Sequence, residues 1–229
     1  VEVAYRFEVE GAEPLVVRVR LDPGTAELLD PPPDDPPGWT ELGYHQCPCC
    51  PLDAESVERC PLAMRLSGVV GLFEGLVSYT RADLTVSTRE RVISQQTTVQ
   101  KGASSLLGLI SAASGCPVTA AFRPMARFHL PLASTEETAY RACSMYMLAQ
   151  YMRRCRGLEP DMGMTGLRRI YEEVHQVNTA VAERLREASR SDSALNAIVM
   201  LDAHALMVPM ELDDSLMESA GLFGDYLED

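Results

Sequence analysis

The chain has 229 residues, 33 acidic and 20 basic, and a net charge of −13. That balance excludes a nucleic-acid binder built on clustered Lys and Arg, and a hydrophobic content of 46% excludes a disordered chain. Seven cysteines are an odd number, a poor match to a closed disulfide framework and a pointer to thiol or metal chemistry.

Val1, Val3, Tyr5, Phe7 and Val9 alternate with polar or small residues, and Leu15, Val17, Val19 and Leu21 do so again after a Gly11–Pro14 turn. Period two in both runs predicts an antiparallel hairpin with one apolar face. Residues 31–38 hold five prolines and read as a stiff extended connector. A cysteine segment, residues 45–61, follows. Helical spacing then runs over residues 62–79, and residues 82–99 return to strand character. Residues 105–113 predict a short helix that Gly115 ends. The stretch 117–132 reads as irregular. Ser134 and Glu137 form a capping-box pattern that opens a helix to about Arg156, with Tyr140, Cys143, Met147, Leu148 and Tyr151 along one side. Further helices are expected over 166–189 and 193–208, with a short turn at 213–220. The fold class is therefore α+β: a small antiparallel sheet on the N-terminal side, a Cys-rich loop and a mostly helical C-terminal half. Residues 1–132 and 133–229 are expected to form one unit. Seven of the acidic residues and no basic one fall in residues 211–229, so the body is only modestly acidic.

Neither a basic segment followed by an apolar run nor a membrane-length apolar stretch is visible; the longest candidate, residues 62–77, is broken by Arg65 and Glu74. The expectation is a cytoplasmic protein with no membrane and no nucleic-acid partner, in a compartment where clustered cysteines bind metal or do redox chemistry.

Four of the seven cysteines, Cys47, Cys50, Cys60 and Cys116, are each followed by Pro, although Pro makes up only 15 of 229 residues. Cys47-x-x-Cys50 has the spacing that brings two thiolates onto one metal from a tight turn. A following Pro holds the preceding Cys extended and stiffens the ligand loop. Pro61 at a first helical position makes Cys60 an N-cap, where the helix dipole is expected to lower its pKa. The site expected is thus metal on Cys47, Cys50 and Cys60, with Cys116 as fourth ligand and His45 or His129 as alternatives. Structural zinc is the first reading. An iron–sulfur cluster or a reactive thiol on the same cysteines is the alternative, which would make the protein a redox enzyme. Cys116 with His129 is the best enzyme pair the sequence offers.

The motifs His45-x-Cys47-x-x-Cys50-Pro51, Cys60-Pro61, Ser114-Gly115-Cys116-Pro117, Met125-x-x-Phe128-His129-Leu130-Pro131, Glu136-Glu137-Thr138-x-x-Arg141 and Gln150-Tyr151 resemble those of an uncharacterised bacterial family of domains of unknown function. The resemblance spans the chain from the first hairpin to about residue 190. It implies that Cys47, Cys50, Cys60, Cys116 and His129 are family features and that Cys49 is peculiar to this chain. It implies no activity.

Other signals have plainer readings. Glu172-x-x-His175 lacks the second such pair of a di-iron bundle and reads as a solvated or core-edge pair. Cys143 and Cys155 stand on different sides of one helix and read as core, as do the methionines. Arg123, Arg127 and Arg141 are expected to pair with carboxylates such as Glu136 and Glu137. No phosphate-binding Gly motif or Ser nucleophile elbow is present. The helical half is the expected face for a protein partner or a second copy of the chain.

Overall fold

Alternating burial lays down the first two strands of the computed structural model, which describes the backbone of residues 1–188 and 192–227 and, within these, the side chains outside 188, 192–193 and 210–220. β1 (Glu2–Val9) and β2 (Leu15–Arg20) pair as the expected hairpin, with Val3 opposite Val19 and Tyr5 opposite Val17. β3 (Arg81–Thr88) joins the other edge of β1 and β4 (Val92–Thr98) joins β3, giving an antiparallel sheet in the order β2-β1-β3-β4. Val3, Tyr5, Phe7, Val17, Val19, Leu84 and Val86 are buried on one face, while Arg6, Glu8, Arg18 and Asp83 are exposed on the other. This is the one-sided burial an antiparallel sheet allows. The edge strand β4 presents exposed Ser94, Gln95 and Gln96.

Helices cover the apolar face. α1 (Pro61–Val70) and α2 (Val99–Ala113) bury Leu62, Leu66, Leu106, Leu107 and Ile110 in the same core as the strands. α2 approaches the sheet so closely that a Cβ on Gly102 would stand 2.5 Å from Phe7 Cε1. α3 (Arg123–Arg127) is a single short turn, and α4 (Thr135–Cys155), α5 (Thr165–Ala188) and α6 (Asp192–Glu218) are long. α5 lies along α6, and α6 lies against α2 and α4. Val177, Val181 and Leu185 of α5 with Ala197 and Ile198 of α6 enter the core of the sheet. A second apolar cluster, with Ala142, Cys143, Tyr146, Leu167 and Val208, joins α4, α5 and α6. α7 (Gly224–Leu227) closes the described chain.

Several boundaries differ from expectation. α1 stops at Val70 rather than near Tyr79, because Gly71 caps it and opens a 3-10 turn, and Gly75 at φ +82° turns the chain away. α2 begins at Val99, six residues early, where Thr98 accepts from the Lys101 amide. The stretch 117–132 contains α3 and a 3-10 turn at Thr119–Phe122. α6 runs through Pro209 to Glu218 instead of stopping at Val208. A proline inside a helix lacks the N–H that would bond the carbonyl four residues back; its own carbonyl is intact, and that of Pro209 accepts from Arg168 Nη1 at 3.3 Å. The capping box at Ser134 and Glu137 is formed as expected. The buried side of α4, however, carries Ala139, Ala142, Cys143, Tyr146 and Gln150, and Tyr140, Leu148 and Tyr151 are exposed. Small alanines let α4 sit close to its neighbours, which turns the larger side chains outward. Of the acidic end, only Asp225 has a described side chain, and it is exposed; Glu211, Asp213, Asp214 and Glu218 are described in backbone alone, within α6, and Glu228 and Asp229 lie outside the described residues.

Candidate functional site: a four-cysteine cavity

Three separate segments bring the Cys-Pro cysteines together. The Cys50 amide donates to the Cys47 carbonyl at 2.9 Å, closing the turn that sets both thiols on one side. Cys60 is the N-cap of α1, as Pro61 predicted, and its amide donates to the Thr40 carbonyl at 2.8 Å. Gly115, at φ +91°, reverses the chain after α2, and the Cys116 amide donates to Ser114 Oγ at 3.2 Å. Cys47, Cys50, Cys60 and Cys116 all line one small cavity of about 10 Å³, closed from α5 by Val177 and Val181. That is room for about one water-sized body. All seven cysteines are free thiols. Among the described residues, no three His, Cys, Asp or Glu side chains stand as they are in a grouping that could hold a metal ion.

Arg184 of α5 also lines this cavity. It is 1% exposed. Its Nη1 donates to the carbonyls of Trp39 and Glu41, both at 2.7 Å, and its Nη2 to that of Leu42 at 3.0 Å. Among the described residues its partners are these three neutral carbonyls, so a buried cation sits beside four thiols without a carboxylate. Nothing in the helical pattern of α5 marks Arg184 as buried; only its place on the face of Val177, Val181 and Leu185 could have done so.

Burial governs the thiols. It raises Cys47 to about 12, with the neighbouring cysteines adding to the rise. Cys60 is raised too, chiefly by burial; the nearby amides of Ala63 and Leu62 and the charge of Arg184 pull the other way and lose. This corrects the expectation that the helix N-terminus lowers the Cys60 pKa. Those amides lie near Sγ without forming a cap hydrogen bond. Cys49 points elsewhere, donating to the Glu173 carbonyl at 3.4 Å.

The two histidines sit apart from this cavity. His45, at φ +45°, places Nε2 3.0 Å from Glu187 and Nδ1 3.4 Å from Glu183, with Tyr44 Oη also donating to Glu187. The hydrogen bond to Glu187 is the main reason its pKa is raised. His129 contacts buried Tyr5 through Nε2, and Tyr5 Oη also meets Ser105 Oγ at 2.9 Å. Burial, then Arg141, lowers His129 to about 4. The ring is half-buried and borders a different, larger cavity. The structure therefore does not bring Cys116 and His129 to one cavity. Tyr5 was read only as a strand core residue; its hydroxyl ties the sheet to the His129 loop.

The remaining signals resolve individually. His175 Nδ1 meets Asp202 at 2.8 Å across α5 and α6. Cys143 is buried, but Cys155 is exposed and not core. Arg123 pairs with Glu27 at 2.7 Å. Arg127 Nε donates to the Pro23 carbonyl, and Arg141 Nη2 to the carbonyls of Met125 and Phe128. The expected pairing with Glu136 and Glu137 thus gives way to Glu27 and backbone carbonyls, with Glu137 acting on Arg141 only as a nearby charge. No helix of the described residues is long and apolar enough to cross a membrane.

The model of DUF6901, a domain of unknown function, matches residues 3–224. The chain belongs to that family, which agrees with the expectation of an uncharacterised family of domains of unknown function. No curated protein and no solved structure matches the chain.

Proposed function

We propose that this DUF6901 protein binds a single zinc ion through Cys47, Cys50, Cys60 and Cys116, and that the ion fastens the cysteine loop to the start of α1 and the end of α2. The observation that carries the reading is the convergence of those four thiols, from three segments, on one cavity. Four cysteines are a usual closed, structural zinc set. The thiols would turn inward to close on the ion. The cavity as it stands, about 10 Å³, has room for one small body, and zinc is the first reading because closed four-cysteine sites are its usual home. Charge supports it as well. Zinc on four thiolates has a net charge of about −2, and Arg184 supplies a buried cation beside it, which answers the cost of a buried charge standing alone. Seven free thiols fit a reducing, cytoplasmic compartment.

Metal analysis of the full chain, purified anaerobically without chelator, tests this. The expected result is about one zinc per chain and no colour, with zinc lost in Cys47→Ser and Cys116→Ser and kept in His129→Ala. Absence of metal from the native protein refutes the proposal. Absorbance near 400 nm would replace zinc by a cluster.

A further inference from the structure

A second cavity, of about 540 Å³, lies between α2, α4, α5 and α6. Its size falls in the range of small-molecule sites. Leu109, Phe122, Val174 and Leu201 form apolar wall, while Lys101, Arg141, His129 and His204 border it. In a chain with 33 acidic residues, no Asp or Glu is among the described residues lining it. The cationic field is felt inside: burial and then Arg141 lower His129, and burial and then Lys101 lower His204.

Asn178 also lines this cavity. It is 4% exposed, and its Nδ2 has no hydrogen-bond partner among the described residues. A buried amide donor left unpaired costs free energy that an acceptor on a ligand would recover. Arg141 is half-buried and uses Nη2 for two carbonyls, so Nε and Nη1 remain for a ligand among the described residues. Arg141 acts on Tyr171, and Asn178 stands about 10 Å further along α5.

We infer that this cavity binds an apolar carboxylic acid, its carboxylate at Arg141 and a second oxygen acceptor at Asn178. Glu137, the acidic group acting on Arg141, serves in the capping box through Oε2 and does not line the cavity.

Calorimetric titration of the full chain tests the assignment with decanoate, 10-hydroxydecanoate, decan-1-ol and decyltrimethylammonium as probes. Decanoate should bind saturably and at least about tenfold tighter than decan-1-ol. The hydroxy acid should bind tighter still. Arg141→Gln should abolish the preference for acid over alcohol, and Asn178→Leu only the gain from the hydroxyl. If either variant fails to fold, the four probes on the native chain decide alone. Equal binding of decanoate and decan-1-ol, preference for the ammonium probe, or no saturation below about 1 mM overturns the site. A carboxylate preference without any hydroxyl gain overturns the Asn178 contact.

Discussion

His45 and Glu187 show how one residue pair carries a pH dependence. The hydrogen bond between them raises His45 and, from the other side, lowers Glu187. A raised histidine contributes stability below its unfolded pKa, about 6.5, that is lost as pH rises through its folded value. A lowered carboxylate contributes stability above its unfolded pKa, about 4.3, that is lost as pH falls through its folded value. The pair therefore contributes most between those limits and weakens on both sides. Both side chains are solvent-accessible, so the effect on melting is small. A histidine titration by NMR should place His45 above the ordinary value, and Glu187→Gln should bring it down; no change in the variant would remove Glu187 as the cause. Arg184 and Asn178, the buried polar residues that mark the two cavities, were illegible in the sequence. Each falls on an amphipathic helix among residues of its own face, and whether a polar side chain there is buried depends on which segment packs over it.

Packing decides at the level of elements as well. Gly102→Ala on α2 should raise helix propensity by about 1 kcal/mol. The new Cβ would meet Phe7 Cε1 at 2.5 Å and Leu84 Cδ2 at 3.2 Å, and overpacking of this kind costs about 1–3 kcal/mol. Denaturant unfolding should show net destabilisation, and a more stable variant would mean that the sheet can yield. The hairpin and the α4 capping box were legible because period-two alternation and a cap followed by Glu are local signals. The end of α1 was not, since Val69, Phe73, Leu76 and Val77 continue an apolar helical pattern that Gly71 and Gly75 interrupt. The face of α4 was misread for a related reason: hydrophobicity favoured Tyr140, Leu148 and Tyr151, while close approach selected Ala139 and Ala142. The span of α6 past Pro209 was masked by the ordinary rule that proline ends a helix.

Across the molecule, the four Cys-Pro cysteines were the most informative part of the sequence. Their rigidity is encoded locally, by the residue that follows each one. Their convergence is not local: the β2-to-β3 connection, which holds the cysteine loop and α1, must bring Cys47, Cys50 and Cys60 beside Cys116 after the end of α2. The metal proposed at that junction would link segments far apart in sequence, so its binding energy would become folding energy. A chelator should then lower the melting temperature of the native chain, and added zinc should restore it; an unchanged melt would deny the metal a structural role. The most direct measurement is zinc K-edge X-ray absorption on the full chain purified without chelator. The account predicts four sulfur neighbours at about 2.3 Å; a first shell of nitrogen or oxygen, or no zinc to measure, would contradict it.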